Sequence, residues 1–351
     1  MGKLNDGTED TGHVPTSLNT IGPNAPVSIH IVSSQLASAT STCAFYPFDT
    51  LKTRFMSQDG TTVRQHNGHV YSSIRGSLAL IYREEGLLPL FRGCPVAIIG
   101  STIAWGIYMF LYRQLCNMSE CTSYLGRSSI SLLSSAEADP TRSGVLSSWI
   151  MMSQNLLPRF VFSTIASCTS AVACNPIWLI KTRMQLEEAS TRRVFAQRHF
   201  RTFRGGLLHT VQTTGVYSLW RGVSAQIVLG IPNAMNLPLY DTIKAAMLNT
   251  RRTSELSVPE VCACSTLTKV VLTLVCHPVM VLKTRLQDHR AREGEIHYKS
   301  FIQSTKTIWQ RGGLLAFYRG TLPSLCHTVP RSLLMFLFYE QSLKVSRCLW
   351  S

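Results

Sequence analysis

Three basic residues lie inside long apolar stretches of this sequence, namely Lys269, His327 and Arg331. A lysine at the centre of a membrane costs roughly 2.5–3.5 kcal/mol to insert, so it needs a partner or a ligand. His327 and Arg331 are four residues apart, and this spacing puts both on one face of a helix. A guanidinium offers a planar fork for phosphate or carboxylate, and a neutral imidazole offers one donor. These residues predict an anion site within a membrane. The alternatives are an interhelical ion pair, a lysine that reaches back to the surface, and a packing histidine.

A second basic pattern, Pro-x-x-x-x-Lys-Thr-Arg, occurs three times. The three copies begin at Pro47, Pro176 and Pro278. Each is followed by an aromatic-Arg-Gly triplet, with 46, 46 and 42 residues from the proline to the closing glycine. Recurrence at a fixed period is the signature of an internal repeat. We therefore expect three copies of one structural unit.

A segment of apolar and small residues precedes each proline, and another follows each Arg-Gly pair. About 20 residues are needed to cross a bilayer. The six segments are approximately 28–46, 94–116, 157–175, 223–247, 258–277 and 321–344. They predict an all-α membrane protein with six transmembrane helices in three tandem two-helix repeats.

These segments define the expected organisation of the chain. A polar N-terminal tail covers residues 1–27, and a Ser-rich loop covers 117–149. The three repeats are expected at 28–116, 150–248 and 249–346. The loop is expected on the opposite face from the segments that follow the prolines.

Composition supports lipid contact and a negatively charged partner. Of the 351 residues, 45% are hydrophobic and only 15% are charged, against roughly 25% charged in ordinary globular proteins. The net charge is +15, which suits nucleic acid, anionic lipid or an anionic solute. Six membrane-length segments argue against a nucleic-acid-binding protein.

The sequence contains none of the catalytic motifs that we sought. There is no Walker loop, no G-x-G-x-x-G string and no nucleophile–base–acid arrangement, so an enzyme is not expected. The eleven cysteines include no C-x-x-C pair, and we interpret them as reduced packing residues. Neither a metal nor a cofactor is expected.

The repeated motifs resemble those of the mitochondrial carrier family over residues 28–345. The resemblance implies a pseudo-threefold bundle around a central cavity, with short helices on the matrix side and kinks at the three prolines. It also implies alternating access between a matrix gate and a cytoplasmic gate. A monomer that crosses the inner mitochondrial membrane several times is expected, with the basic segments after the prolines in the matrix.

The charges expected to form the matrix gate are incomplete. The residues assigned to this gate are Asp49, Lys52, Trp178, Lys181, Gln185, Lys283 and Gln287. The family motif has an acid two residues after the proline. Asp49 keeps this acid, but Trp178 and Met280 replace it in the other copies. Only one ion pair can be drawn, most simply Asp49 with Lys181, and Lys52 and Lys283 lack their expected partners. A closure with fewer ion pairs opens at lower cost, unless packing of Trp178 and Met280 replaces the missing pairs.

The cytoplasmic gate is also only partly retained. Its residues are Tyr112, Arg113, Tyr240, Asp241, Lys244, Tyr339 and Glu340. Tyr240, Asp241 and Lys244 follow the family pattern, whereas Arg113 reverses the charge of its position. Leu343 stands where Glu340 would have its basic partner.

Trp178 reduces the set of possible solutes. The Pro-x-Trp sequence in the second repeat resembles that of carriers of flavin, folate, NAD and pyrimidine nucleotides. The segment from Gly100 to Tyr112 is similar to the second helix of the folate and FAD carriers. The expected solute contacts are Trp105, Gly106, Gly230, Ile231, Asn233, Asn236, Lys269, His327 and Arg331. Pro232 and Pro238 depart from the family pattern near Gly230 and Ile231, the expected solute contact in the fourth span.

The function implied is transport of an anionic cofactor or nucleotide. Folate or FAD is the first expectation, with NAD or a pyrimidine nucleotide as the runner-up. The alternatives are a proton-leaking, uncoupler-type member of the family and a scaffold that keeps the fold without transport.

The Arg-Gly pairs are candidates for lipid binding. They are Arg92-Gly93, Arg221-Gly222 and Arg319-Gly320. Each is expected to begin a helix, and free N–H groups at a helix N-terminus bind phosphate. Cardiolipin is the expected lipid, and a simple helix-start turn is the alternative.

Overall fold

The computed structural model describes residues 27–62, 65, 69–130, 144–187, 199–251, 258–291 and 296–350. Within these residues the regular structure is helical, which confirms the all-α class. The helices are α1 (Val27–Ser57), α2 (Ile74–Glu85), α3 (Cys94–Ile130), α4 (Gly144–Leu186), α5 (Phe203–Thr214), α6 (Val223–Ala234), α7 (Asn236–Arg251), α8 (Val258–Gln287), α9 (Phe301–Gly312) and α10 (Thr321–Trp350). The N-terminal tail lies outside the described residues, apart from Val27.

Each repeat contains the same series of local structures. A long helix continues through the motif proline, and a 12-residue helix follows it. The short helices α2, α5 and α9 are N-capped by the hydroxyls of Ser73, Thr202 and Ser300. Each hydroxyl accepts a hydrogen bond from a backbone N–H three residues later, which satisfies a donor that the helix itself leaves unpaired. A 3-10 turn then leads into the next helix, which is α3, α6 or α10.

The glycine of each Arg-Gly pair allows close contact between elements. Gly93, Gly222 and Gly320 all have positive φ, at 86°, 75° and 87°. A Cβ added at Gly93 would lie 2.9 Å from Tyr46 Oη, and one at Gly320 would lie 3.1 Å from Phe55 Cβ. Both the backbone conformation and the space therefore favour glycine.

The hydrophobic core is divided among the repeats. Each short helix packs beneath the C-terminal part of the long helix that precedes it. The buried clusters centre on Leu51 and Ile81, on Ile180 and Phe200, and on Leu282 and Ile308. Since each long helix is packed in this way at the end that carries its Lys-Thr-Arg motif, that end is the firmly held part of each repeat.

The helices of the six expected spans contact one another in a closed order. Contacts run from α1 to α3, then to α4, α6, α8 and α10, and from α10 back to α1. The three helices that carry the motif prolines, α1, α4 and α8, also contact each other. The described chain therefore surrounds a common interior.

Three helical stretches are long and apolar enough to cross a membrane within the described residues, compared with the six that we expect. They are Leu88–Met118, Val161–Leu186 and Glu260–Gln287. α1 and α10 have sufficient length, at 31 and 30 residues, but their described parts do not reach the same apolar content. Six spans therefore remain a proposal.

The fourth expected span, 223–247, is two helices and not one. α6 ends at Ala234 and α7 begins at Asn236. Pro238 has no N–H with which to bond the carbonyl of Ala234, so the helical hydrogen bonds are interrupted at this point. The departure from the family pattern at Pro238 is thus an interruption of the helix.

The predicted Ser-rich loop is too long. α3 continues to Ile130 and α4 begins at Gly144, so both ends of the 117–149 segment are helical. Serine has only a moderate helix cost, and a helix that is already formed extends readily through such residues. Residues 131–143 lie outside the described part of the chain.

Candidate functional site

The arginines of the three Lys-Thr-Arg motifs join the long helices in cyclic order. Each donates a hydrogen bond from Nε to a backbone carbonyl near the C-terminus of the next motif helix. The bonds run from Arg54 to Gln185 (3.1 Å), from Arg183 to Gln287 (3.2 Å) and from Arg285 to Met56 (3.1 Å). Because the last carbonyls of a helix have no partner within it, these bonds satisfy the helix ends and tie α1, α4 and α8 together.

The threonines of the same motifs repeat this cyclic pattern. Thr53 donates to Gln185 Oε1 at 2.9 Å, and Thr182 donates to Gln287 Oε1 at 3.1 Å. In the third repeat Thr284 Oγ1 lies 3.7 Å from Met56 Sδ. The two glutamines expected to brace the matrix gate therefore do contact the neighbouring helix.

The residue before each motif proline forms a further contact that the sequence argument missed. The side chains concerned are those of Tyr46, Asn175 and His277, all buried. Tyr46 donates to the carbonyl of Arg92 at 3.2 Å, Asn175 to that of Arg221 at 3.4 Å, and His277 Nε2 lies 3.2 Å from that of Arg319. The sequence does contain a signal for these contacts, because a side chain that can donate a hydrogen bond stands directly before the proline in all three repeats. These contacts fix the turns from which α3, α6 and α10 begin.

Asp49 is the centre of the charged layer, which we define as Asp49, Lys52, Trp178, Lys181, Met280 and Lys283. The Asp49 carboxylate is buried, and Lys181 Nζ lies 2.5 Å from Oδ2, while Lys52 Nζ lies 2.8 Å from Oδ1. Gln185 Nε2 also donates to Oδ2, at 2.9 Å. The structure therefore contains the pair expected between Asp49 and Lys181. It corrects one expectation, because Lys52 is not without a partner but shares the same carboxylate.

In the second repeat Trp178 replaces the acid. The ammonium of Lys283 lies 5.9 Å from the centre of the Trp178 ring. A cation within about 6 Å of an indole face is attracted by the ring quadrupole. An aromatic face thus takes the place of the missing carboxylate between α4 and α8.

In the third repeat neither an acid nor an aromatic ring replaces the missing partner. Met280 occupies the position that Asp49 holds in the first repeat, and Met56 of the first repeat occupies the position of Gln185 and Gln287 in the other two. Both methionines line the interior cavity. Among the described residues, no ion pair joins α8 to α1 in the charged layer.

The three arginines also differ in their second partner. Arg54 forms a bidentate ion pair with Glu85, at 2.7 and 2.8 Å. Arg183 instead donates to Thr210 Oγ1 at 2.8 Å, and Arg285 to Tyr298 Oη at 3.3 Å. The first repeat therefore holds a carboxylate both in the charged layer and beneath it.

A cavity of about 260 Å³ lies directly against the charged layer. All six expected spans line it, because α1, α3, α4, α6, α8 and α10 each contribute at least one residue. Contributions from outside the charged layer include Thr42, Ala97, Ser101, Leu229, His327 and Arg331. The cavity is thus a shared interior of the repeats.

The cavity carries a large excess of positive charge. Its lining contains three lysines and Arg331, compared with the single carboxylate of Asp49. His327 Nε2 lies 3.8 Å from Asp49 Oδ1. Arg331 Nε is buried without a hydrogen-bond partner in the described structure. A cationic group with an unmet donor inside an apolar surround favours an anion beside it.

The other expected solute contacts lie in different places. Lys269 is half-buried and does not line this cavity. Because it precedes Met280 by eleven residues, it lies on the same face of α8, about 16 Å further along the helix. Gly230 is buried beside Ser167 Oγ, at the boundary of α4 and α6. Asn236 is the partly buried first residue of α7, and the side chains of Ile231 and Asn233 lie outside the described residues.

Trp105 and Gly106 are both predicted solute contacts, but they lie on different sides of α3. Neighbouring residues of a helix point about 100° apart. Trp105 is four residues after the cavity-lining Ser101, whereas Gly106 shares a face with the exposed Ile103 and Phe110. The structure therefore does not bring Gly106 to the cavity.

The residues expected in the cytoplasmic gate are not joined by ion pairs in the described structure. Arg113 and Asp241 are exposed, and Lys244 and Tyr240 are partly buried. Tyr112 stacks on Tyr108, with ring centres 6.1 Å apart. The side chains of Tyr339 and Glu340 lie outside the described residues.

The three Arg-Gly pairs begin helices, as expected. Backbone bonds to the carbonyls of Gly93, Gly222 and Gly320 form the first turns of α3, α6 and α10. The Arg92 guanidinium donates to the carbonyl of Glu187 at 3.1 Å, while Arg221 and Arg319 are partly buried. A lipid at these turns remains a prediction.

Just beyond α8, a buried acid, Asp288, and a partly exposed histidine, His289, lie outside the membrane-length helices. Burial would raise the pKa of the Asp288 carboxyl, but the charges of Arg290 and His289 lower it to about 2. Arg290 Nε lies 3.2 Å from Asp288 Oδ1. Burial lowers the pKa of His289 to about 4, against the opposing effect of Asp288. This corner of the structure is therefore sensitive to acid.

Comparison with known proteins gives the same pattern three times. The family model for the mitochondrial carrier protein matches residues 23–120, 153–251 and 254–347. Among relatives, the chloroplastic folate transporter 1 of Arabidopsis thaliana is 28% identical, over 88% of this chain and 92% of its own length. The mitochondrial pyrimidine nucleotide transporter RIM2 of Saccharomyces cerevisiae is 26% identical, over 89% and 84%. The mitochondrial FAD carrier protein FLX1 of the same yeast is 25% identical, over 90% and 96%.

The three matches cover most of the chain and coincide with the three repeats, each of which has a long helix, a short helix, a turn and a further helical span, divided into α6 and α7 in the second repeat. On this evidence the chain belongs to the mitochondrial carrier family.

Proposed function

We propose that this protein transports an anionic solute across the inner mitochondrial membrane by alternating access. The observation that carries the proposal is the excess of lysine and arginine over carboxylate in a cavity lined by all six expected spans. Buried cations are costly without a partner. A solute that bears phosphate or carboxylate groups supplies the missing negative charge.

In this proposal the charged layer is the closed matrix gate. Asp49, held by Lys52 and Lys181, closes the interior at the ends of α1, α4 and α8. An anion in the cavity competes with Asp49 for these lysines and weakens the closure. Tyr112, Arg113, Tyr240, Asp241, Lys244, Tyr339 and Glu340 would close the cytoplasmic side in the other state.

We also propose six membrane spans related by a pseudo-threefold axis. The closed order of helix contacts supports this arrangement, as do the three cyclic arginine bonds. The prolines at 47, 176 and 278 would kink the matrix-side ends of α1, α4 and α8. Because one chain encloses the cavity, a monomer is sufficient for transport. The N-termini of α3, α6 and α10 would hold cardiolipin phosphates.

The proposed solute class is an anionic cofactor or nucleotide. Relatives that span most of this chain are named as folate, FAD, NAD and pyrimidine nucleotide transporters. Arg331 and His327, which line the cavity on α10, would bind its anionic group, and Lys269 would bind it nearer the cytoplasmic side. The four candidates are folate, FAD, NAD and a pyrimidine nucleotide.

Uptake into liposomes that contain the purified protein tests this function. FAD, folate, NAD, UTP and ATP would be supplied outside, with each solute or buffer alone inside, and malate would serve as a small dicarboxylate control. Saturable uptake of one cofactor or nucleotide, absent from protein-free liposomes, is expected. Proton leak without solute uptake would support an uncoupler-type protein. Neither activity from folded protein would support a scaffold.

A further inference from the structure

Three aromatic side chains follow one another along α3 above the cavity. The rings of Trp105 and Tyr108 meet edge to face, with centres 5.5 Å apart and an interplanar angle of 89°. The rings of Tyr108 and Tyr112 are stacked, with centres 6.1 Å apart and an angle of 11°. We call these three residues the α3 aromatic face.

The α3 aromatic face points toward the interior. Its members follow the cavity-lining Ser101 at intervals of four, three and four residues, which keeps them on one side of a helix. The opposite side of α3 carries the exposed Ile99, Ile103 and Phe110. The aromatic side chains therefore continue the wall of the cavity toward the cytoplasmic end.

Neighbouring helices fix the orientation of α3. On one side Thr102 Oγ1 donates to Gln35 of α1 at 3.1 Å. On the other, Ser170 of α4 donates to the carbonyl of Ala104 at 2.8 Å. The α3 aromatic face lies between these two boundaries, where no neighbouring helix covers it fully.

The α3 aromatic face combines a ring of fixed orientation, that of Tyr108, with an exposed ring, that of Trp105. Tyr108 Oη lies 3.0 Å from Ser163 Oγ of α4, so the hydroxyl pair and the Tyr112 stack hold this ring in place. Trp105 is 55% exposed although it lies on the interior side of the helix. A large open ring beside rings of fixed orientation is suited to stacking against another flat ring.

The spacing from the cations defines a chemical class of solute. Ser101 borders the cavity that holds Arg331 and the lysines. Trp105 and Tyr108 lie about 6 and 10 Å further along α3, from the helix rise of 1.5 Å per residue. A solute with anionic groups at one end and a planar ring about 10 Å away would contact both regions together.

We propose that the α3 aromatic face binds the planar ring of the solute, while the cations of the cavity bind its anionic end. This inference rests on the proposed transport of an anionic solute and adds which residues bind the aromatic ring that all four candidate solutes carry. Anions without a ring would then bind only through the cations. The α3 aromatic face would therefore determine selectivity and not the binding of charge.

The test compares ring-bearing and ring-free anions on the full-length purified protein. FAD, folate, NAD and UTP are the ring-bearing probes, and tripolyphosphate and citrate are the ring-free ones. We expect wild-type protein to bind at least one ring-bearing probe about ten-fold more tightly than either ring-free probe, in titration calorimetry. This expectation follows from the strength of stacking between aromatic side chains and bases.

Trp105→Ala is expected to remove most of this preference while leaving the dissociation constants of the ring-free anions unchanged. Trp105→Phe should restore part of it. Phe110→Ala, which removes an exposed aromatic from the opposite side of α3, is the matched control and should keep the full preference. Unfolding temperatures of the three variants would show that each is folded.

The possible failures are distinguishable. If wild-type protein binds both kinds of anion equally, or if Trp105→Ala keeps the preference, the α3 aromatic face is not a ring site and the proposed transport function still stands. If wild-type protein binds none of the probes, the cation site and the ring site are both wrong.

Discussion

The ammonium of Lys283 lies 5.9 Å from the centre of the Trp178 ring, at the position where the first repeat pairs Lys181 with the carboxylate of Asp49. The three boundaries between motif helices are therefore chemically different. One holds an ion pair, one a cation–aromatic contact, and one the methionines Met56 and Met280. Because removing a buried ion pair and removing an apolar contact have different costs, the three boundaries should respond differently to substitution.

Trp178→Leu should destabilise the protein more than Trp178→Phe. Leucine has no ring to attract the Lys283 ammonium, whereas phenylalanine keeps a weaker one. The expected difference is about 1 kcal/mol in the free energy of unfolding. Thermal unfolding of the two variants in the same detergent measures it. Equal stability would mean that the ring contributes packing alone.

Asp49→Asn should be the most damaging change in the charged layer. It removes the single carboxylate that Lys52 and Lys181 share, and so leaves two largely buried cations without an anion. A loss of about 3 kcal/mol in the free energy of unfolding is expected. Asp241→Asn, at an exposed acid with no ion pair among the described residues, should change stability by less than about 0.5 kcal/mol. Similar effects of the two changes would contradict the assignment of Asp49.

Glu85→Gln and Glu84→Gln form a matched pair on α2. Glu85 is buried and bonds Arg54 through both oxygens, so its amide variant should lose about 3 kcal/mol of stability. Glu84 is partly exposed and lies 3.1 Å from His69, so its variant should lose at most about 1 kcal/mol. Chemical or thermal unfolding of the two proteins decides between these expectations. A larger effect at Glu84 would refute the role given to the Arg54–Glu85 pair.

Stability should fall as the pH is lowered from 6.5 toward 4. The pKa of His289 is about 4 in the folded protein, below its ordinary value, so the unfolded chain binds a proton first in this range. The stability linked to His289 is complete above pH 6.5 and is lost as the pH falls through 4. Unfolding temperature measured against pH should show this loss.

His289→Gln should flatten the dependence of stability on pH between 6.5 and 4. His297→Gln, at an exposed histidine nearby, should leave the slope of the wild-type curve unchanged. The Asp288 carboxyl, whose pKa is about 2, contributes a separate loss only below about pH 4. A wild-type slope that survives in His289→Gln would show that another group titrates.

Much of the fold follows from local signals in the sequence. The prolines, the Lys-Thr-Arg motifs and the Arg-Gly pairs recur at nearly constant spacing, and each marks a helix or its start. The helical class and the three repeats were predictable for this reason. The interruption of the helix after Ala234 was harder to predict, because Pro238 is also compatible with a kinked continuous helix.

The site was predictable where chemistry and repeat position agree. Asp49 is the one acid at its motif position, and the resemblance to the carrier family implies its pairing with Lys181. Lys52 could not be placed in this way, because its contact with Asp49 depends on side-chain rotation within α1. To predict which way Gly106 points, one must know which face of α3 is turned inward. The sequence alone does not show this. The contacts of Tyr46, Asn175 and His277 join residues more than forty positions apart and needed the packed structure.

The central claim is that the cations of the cavity select an anionic solute, and Arg331 tests it most directly. The measurement is the initial rate of uptake into liposomes of whichever anion wild-type protein transports, compared between Arg331→Ala and Arg311→Ala. Arg331 lines the cavity and has a buried nitrogen without a partner in the described structure, whereas Arg311 is exposed near the end of α9. We predict that Arg331→Ala reduces uptake at least about ten-fold, as expected for loss of a charge-assisted contact, and that Arg311→Ala retains it. Undiminished uptake by folded Arg331→Ala would contradict the proposed site.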